Sequence, residues 1–200
     1  YNETKDKGIK PTPSIGGIGL LSNYKKMITM ELKNEGNYLY VIGKTEGHLD
    51  QSIFAKNILS EHGGPPPEIN LFNERQNGMV ILNLKNNNLI ETCHDVSLGG
   101  ILTAISKMSM TGDKGVKMFP IDGLVNKFEY FFGEDQGRYI IEIEPENIEN
   151  VEDILKKESI HFDKLGLVDS DQIIYGDDLK ISIDDIKEDY KKWLKEYMVN

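Results

Sequence analysis

A run of chemically capable side chains, ETCHDVSLGGI, occupies residues 91–101. Cys93, His94 and Asp95 are consecutive within it. A thiol beside an imidazole suits nucleophilic catalysis, but the two groups must lie within hydrogen-bond reach of each other. The pattern predicts a short strand over residues 89–94, in which successive side chains point to opposite faces. The pair is therefore not expected to act together, and Cys93 is predicted to be a buried, inert thiol.

Two kinds of metal site were weighed for the same run, and neither is favoured. Zinc is disfavoured because Cys93 is the only cysteine and the remaining histidines show no ligand spacing. The His94–Asp95 pair is also found in metal-dependent phosphohydrolases, which assemble their ligands on helices. Here the pair lies at the end of a predicted strand. We predict no metal site in this chain.

The second half of the run is typical of a helix start that can bind an anion. The apolar spacing predicts a helix that begins near Leu98, with Ser97 as its N-cap. Gly99 and Gly100 would leave free N–H groups at the positive end of the helix dipole, which attracts phosphate. The alternative is that the glycines let the helix pack closely on its sheet. The residues alone leave both interpretations open.

The chain that must position this run mixes strands and helices, which indicates an α+β or mixed α/β domain, and we predict an α+β fold with a mixed β-sheet packed against helices. Residues 70–84 suit either a buried strand or a long helix. The predicted strands span residues 27–32 and 38–43 (joined as a hairpin), 89–94, 116–119, 138–144, 165–168 and 172–175. The other predicted helices span residues 52–60, 125–131 and 148–155.

The last predicted element is a helix that follows Ser182, which with Asp185 resembles a capping box. Trp193 and the two tyrosines of its apolar stripe are expected to pack in the core. The stripe consists of Ile186, Tyr190, Trp193, Leu194 and Tyr197.

Composition excludes several classes of function. The 200 residues carry a net charge of −10, which argues against a nucleic-acid surface and against binding to anionic membranes. No apolar run is long enough to span a bilayer, and no signal peptide is recognised. With a single cysteine, the expected location is the cytoplasm.

Three stretches occur in a specific order: PTPSIGGIGLL at 11–21, HDVSLGG at 94–100 and FGEDQGRY at 132–139. Together with YNET at 1–4, they resemble the C-terminal part of the phosphoribosylformylglycinamidine synthase family, short form, of the aminoimidazole-ribonucleotide-synthetase-like superfamily. The resemblance implies that residues 1–22 are the tail of a preceding N-terminal-type domain. Residues 23–200 would be the C-terminal domain of the second of two tandem units, with residues 70–84 helical.

The resemblance also implies an ATP-dependent carbon–nitrogen ligase of purine biosynthesis. It would convert formylglycinamide ribonucleotide to formylglycinamidine ribonucleotide with glutamine-derived ammonia. The ligands of ATP and Mg²⁺ would lie upstream of Tyr1, so no catalytic residue is assigned here and this chain alone is expected to be inactive. The implied partners are the remainder of the synthase, a separate glutaminase subunit and a small accessory subunit.

A Glu-Ser-Gln stretch that contacts substrate in the first unit corresponds here to Glu134-Asp135-Gln136, with Asp in place of Ser. The alternative role for Glu134 and Gln136 is to hold a turn by side-chain hydrogen bonds. The alternative functions for the chain are a non-catalytic interface module or another superfamily member such as aminoimidazole ribonucleotide synthetase. The candidate phosphate- or nucleotide-binding residues are His94, Asp95, Ser97, Gly99, Gly100, Glu134, Asp135 and Gln136.

Overall fold

The computed structural model describes residues 3–4, 7–8, 13–121 and 126–199. Its centre is a seven-stranded mixed sheet in which neighbours are antiparallel except for one parallel pair, β5 with β8. A separate short ribbon pairs β1 (Glu3–Thr4) with β2 (Lys7–Gly8). In spatial order the sheet consists of β4 (Thr92–Val96), β6 (Arg138–Ile143), β3 (Tyr38–Ile42), β7 (Phe162–Asp169), β5 (Gly115–Met118), β8 (Gln172–Tyr175) and β9 (Leu179–Ser182).

Helices cover both faces of the sheet. They are α1 (Leu71–Asn86), α2 (Gly100–Gly112), α3 (Lys127–Phe132), α4 (Ile148–Lys157) and α5 (Ile183–Val199). In β3, Leu39 and Val41 pack with α2 and α3, whereas Tyr40 and Ile42 pack with α1 and α4. This alternation follows from the two-residue period of a strand and divides the core into two layers. The predicted α+β fold with a mixed sheet is confirmed.

Helix α1 resolves the open question over residues 70–84 in favour of a helix. The Asn70 side chain accepts hydrogen bonds from the backbone N–H groups of Phe72 and Asn73 and so caps the helix. One face of α1 is buried, while Met79 and Leu82 on the other face are 55% and 50% exposed. Apolar residues on both faces explain why the sequence pattern was ambiguous.

The predicted hairpin between residues 27–32 and 38–43 is wrong. Residues 27–32 contain no strand, and Thr29 makes a single bridge to Thr92. Strand β3 pairs instead with β6 and β7, which lie far along the chain. Because β3 is apolar on both faces, it is most stable in the middle of the sheet with a neighbour on each side.

Several predicted boundaries shift by a few residues, and the start of the helix predicted over 125–131 lies outside the described residues. The short helix predicted over residues 52–60 is a π-helical turn at Ala55–Leu59. Strand β9 was not predicted. No helix in the described ranges is both long enough and apolar enough to cross a membrane.

The Ser182 cap of α5 is confirmed, because the N–H of Asp185 donates to the Ser182 hydroxyl at 3.1 Å. The expected core packing of Trp193, Tyr190 and Tyr197 is wrong. Trp193 and Tyr197 stack on each other, and all three rings are more than 60% exposed. Only the start of α5 packs on the domain, through Ile183 and Ile186, and the rest of the helix extends past the sheet.

Candidate functional site

A cleft of about 1310 Å³ lies beside the end of β3. Its walls are the loop at residues 43–50, the chain from Pro67 into the start of α1, the turn at 135–137 and residues 158–161. A smaller concavity of about 320 Å³ adjoins it and shares Glu74, Gln136 and Gly137 with it. The cleft is therefore built around the turn that precedes β6.

Asp135 lies in the wall of the cleft and is 7% exposed. Its carboxylate accepts hydrogen bonds from three consecutive backbone N–H groups, those of Glu46 at 3.2 Å, Gly47 at 3.0 Å and His48 at 3.1 Å. Successive N–H groups that converge in this way form an anion-binding nest. Here the anion is a side chain of the same protein.

Arg138, at the first position of β6, is 1% exposed. Its guanidinium donates to the carbonyl oxygens of Asp135 at 3.2 Å and Gly133 at 2.6 Å, and to the Thr45 hydroxyl at 3.2 Å. One guanidinium nitrogen lies 3.6 Å from the Asp135 carboxylate. Burial lowers the pKa of Arg138 and the nearby Asp135 carboxylate opposes that effect, so the charged pair is mutually supported.

Glu134 ties two further segments to the same turn. One carboxylate oxygen accepts from the backbone N–H groups of Gly99 at 2.9 Å and Ile53 at 2.8 Å. The N–H of Glu134 itself donates to the His48 carbonyl oxygen at 2.9 Å. The Gly99 N–H was predicted to be free to bind a phosphate. In the structure it donates to the Glu134 carboxylate instead.

The prediction that Ser97 caps a helix from Leu98 is wrong. Helix α2 begins at Gly100, its N-cap is Gly99, and no side chain caps it. Gly99 and Gly100 have positive φ angles of 84° and 72°, which are not helical, so the regular helix cannot extend back to Leu98. A Cβ on Gly100 would lie 2.5 Å from the carbonyl oxygen of Phe131. Gly100 therefore permits a close approach of α2 to α3, whereas the packing alternative had named the sheet as the neighbour.

The Cys-His-Asp run is not a catalytic dyad. Cys93 packs on the α1 face, and burial raises the pKa of its thiol to about 12, which makes it unreactive. His94 is the next residue of β4 and points to the other face. One ring nitrogen of His94, Nδ1, lies 3.1 Å from the Asp95 carboxylate, and the other has no hydrogen-bond partner among the described residues.

The structure brings only part of the predicted site together. Asp135 and Gln136 line the main cleft, while Asp95, Ser97, Glu134 and Gln136 line the smaller concavity. Gln136 is exposed and lines both. Sequence reasoning missed Arg138 and the loop at 43–50. Arg138 stands inside the quoted FGEDQGRY motif, but a lone arginine at a strand start gives no signal of burial.

Carboxylates dominate the charge of the cleft. Lys44 is the only lysine or arginine among its described lining residues, and it pairs with Glu46 at 2.7 Å. Within the described ranges, no cluster of three or more metal-ligating side chains is placed to hold an ion. The other acidic lining residues are Asp50, Glu68, Glu74, Glu129, Asp135 and Glu158.

The fold and the cleft define an α+β domain in which one turn fastens several loops to a mixed sheet. The family model described as "AIR synthase related protein, C-terminal domain" matches residues 34–177, and the chain belongs to this family. The aminoimidazole-ribonucleotide-synthetase-like superfamily predicted from the three motifs is thereby confirmed.

Individual relatives agree with this assignment. The chain is 58% identical over 200 residues to "Phosphoribosylformylglycinamidine synthase subunit PurL" of Pelagibacter ubique (strain HTCC1062), covering 100% of this chain and 27% of the relative. The structure of T. maritima PurL complexed with FGAR matches with a TM-score of 0.65 and 17% identity, over 80% of this chain and 29% of that one. T. maritima PurL complexed with ATP matches with a TM-score of 0.61 and 17% identity, over 80% and 27%. The chain spans about a quarter of the length of the curated relatives that it matches.

Proposed function

We propose that this chain is the C-terminal domain of a phosphoribosylformylglycinamidine synthase subunit. The observation that carries the proposal is the 58% identity to the Pelagibacter ubique PurL subunit along all 200 residues. The parent would convert formylglycinamide ribonucleotide, ATP and ammonia to formylglycinamidine ribonucleotide, ADP and phosphate, which makes it an ATP-dependent carbon–nitrogen ligase. The T. maritima complexes with ATP and FGAR share this fold and support the choice of substrates.

The residues described here do not fit a triphosphate or its Mg²⁺. The cleft has one lysine, already paired, and a surplus of carboxylates that would repel phosphate. We therefore place the ligands of ATP and Mg²⁺ in other parts of the parent and assign no catalytic residue to this chain.

Within this proposal, the candidate binding residues divide into two groups. Asp95, Ser97 and Gln136, which are exposed at the concavities, are the members available to a ligand. Glu134 and Asp135 are engaged by backbone N–H groups. This inward engagement also favours the second candidate function, a domain that supports the parent's fold without taking part in its chemistry.

We further propose that residues 1–22 belong to the preceding domain. Every residue from 13 to 27 is exposed, and Ile15, Ile18 and Leu20 are more than 90% exposed. Such a run of exposed aliphatic side chains is unusual on a finished surface. Part of this segment lies outside the described residues.

The experiment is a turnover assay on the purified parent. It should form ADP and formylglycinamidine ribonucleotide from formylglycinamide ribonucleotide, ATP and ammonium, and the 200-residue chain alone should not. Absence of turnover by the parent would overturn the proposal, as would turnover by this chain alone.

The parent is proposed to act in the cytoplasm with a separate glutaminase and a small accessory subunit, which the word "subunit" in the relative's name supports. The purified parent should then use ammonium but not glutamine. Addition of the two partner proteins should restore glutamine use. Glutamine-dependent turnover by the parent alone would contradict this part of the proposal.

A further inference from the structure

We propose that Asp135 is a positioning residue: anchored by Arg138, it sets the shape of the cleft through the loop at residues 46–48 and does not itself contact the ligand. The inference rests on the proposed function, since it concerns the affinity of the parent for its substrates. It differs from the role that the motif implied for Glu134-Asp135-Gln136, in which this stretch contacts substrate directly.

The first support is the direction in which the Asp135 carboxylate points. Both oxygens are engaged, Oδ2 by the N–H groups of Glu46 and Gly47 and Oδ1 by the N–H of His48. Charge-assisted bonds of this kind are stronger than neutral ones. With 7% of its surface exposed, Asp135 has little left to offer a ligand. Its contacts instead select one conformation of the loop.

The second support is the connection from this loop to the sheet. Arg138 bonds the carbonyl oxygens of Gly133 and Asp135, which fixes the turn, and bonds the Thr45 hydroxyl, which fixes the loop. Its own backbone is part of β6 and pairs with Val96 of β4. The loop is thereby attached to the seven-stranded sheet.

The third support is what the loop carries. Lys44, the only lysine or arginine among the described cleft residues, lies just before residues 46–48 in the loop at 43–50 and is 67% exposed. The ring of His48 contacts a different segment, because its Nε2 lies 3.0 Å from the carbonyl oxygen of Pro65. Pro65 leads directly into Pro67 and the opposite wall of the cleft. A shift at residues 46–48 therefore moves both walls.

A matched control exists at the other end of β6. Glu142 is 3% exposed, and its carboxylate accepts from the backbone N–H groups of Lys33 and Asn34 and from the Asn37 side chain. None of these four residues is among the lining residues of the main cleft. Loss of Glu142 should cost stability in the same way without changing the cleft.

The experiment compares Asp135→Ala and Glu142→Ala in the full-length parent. KM and kcat are measured for formylglycinamide ribonucleotide at saturating ATP, in sodium formate and in equal sodium chloride. We expect Asp135→Ala to raise this KM by about tenfold with kcat nearly unchanged, since loss of ground-state binding raises KM alone. Formate should refill the nest and lower this KM, and Glu142→Ala should leave it unchanged.

Three results would overturn the inference: an unchanged KM in Asp135→Ala, an equal rise in Glu142→Ala, or formate acting no better than chloride. If Asp135→Ala does not fold, Asp135→Asn replaces it, because it keeps the volume and one acceptor oxygen. A smaller KM rise is then expected, and no rise would overturn the inference.

Failure of the proposed function gives a different result. If the wild-type parent turns over neither substrate, the proposed function is wrong, and amide hydrogen exchange in this chain tests the positioning role. Exchange at residues 46–48 should be faster in Asp135→Ala, slower again with formate, and unchanged in Glu142→Ala. Equal exchange in all three proteins would overturn the inference.

Discussion

Both ends of β6 hold a distant loop through a buried carboxylate, but the two carboxylates have different partners. At each end a buried carboxylate holds a distant loop through backbone N–H groups, Asp135 for residues 46–48 and Glu142 for Lys33 and Asn34. At the cleft end Asp135 also has a buried counterion, Arg138. Within the described residues, the hydrogen bonds that Glu142 accepts all come from neutral donors.

The difference follows from the surroundings of each loop. The loop at 46–48 forms the wall of an open cleft, so solvent competes for its N–H groups from one side. The loop at Lys33 and Asn34 is not part of that cleft. An added cation that bonds both the turn and the loop keeps an open wall in one shape, at the cost of burying two charges.

The largest effect is expected for Arg138→Met. This change leaves Asp135 buried without its counterion and should destabilise the domain by about 3–5 kcal/mol. Chemical denaturation of wild type and variant measures it. Arg138→Lys should recover only part of the loss, because an ammonium cannot reproduce the guanidinium's fork of donors. A smaller loss than that of Glu142→Gln would break the comparison between the two ends.

A smaller effect is expected for Glu142→Gln. The amide keeps one acceptor oxygen but turns an NH₂ group toward the Lys33 N–H, so the expected cost is about 1–3 kcal/mol. Denaturant midpoints measure the cost, and amide exchange at residues 46–48 should stay at the wild-type rate. Faster exchange there would mean that the two ends are coupled through β6.

A third carboxylate, Glu152, allows the stability contributed by a partly exposed ion pair to be measured through its dependence on pH. Hydrogen bonds from Lys164 and then Tyr40 lower the pKa of Glu152 to about 2. A lowered folded-state pKa contributes stability above the unfolded value near 4.5, and that contribution disappears as pH falls toward 2. Lys156 also pairs with Glu152, at 3.0 Å. Glu152→Gln should therefore be less stable than wild type at pH 7, by up to about 1 kcal/mol because Lys156 and Lys164 are both exposed to solvent.

Denaturant midpoints of both proteins across this pH range provide the measurement for Glu152. The midpoints should converge at low pH. A gap that persists at pH 2 would show that packing, and not charge, causes the difference.

The smallest effect is expected for Ser97→Ala. The hydroxyl caps no helix in the described structure, so the change should stay within about 0.5 kcal/mol. Gly100→Ala is the matched comparison, because its Cβ would meet the Phe131 carbonyl oxygen and should cost about 1–3 kcal/mol. A loss of 1 kcal/mol or more in Ser97→Ala would restore Ser97 as the helix cap.

Local patterns predicted most of the elements correctly. Ser182 and the period of the apolar residues locate the start of α5, because caps and periodicity act between residues close in sequence. They left α1 open between strand and helix, because apolar residues lie on both of its faces. The failures involve distant partners. The hairpin prediction could not foresee that β3 prefers β6 and β7, and the stripe of α5 could not show that Trp193 extends beyond the sheet.

The sequence by itself determined the α+β class, the unreactive environment of Cys93 and the family, because composition, period and ordered motifs are properties of the linear chain. Only the tertiary structure decided which groups the motif residues contact. Glu134 and Asp135 have the same chemistry whether they face a ligand or a backbone nest, and residues 46–48, which donate to Asp135, lie some ninety positions earlier. A carboxylate's role depends on which donors meet it in space, and chain order does not record that.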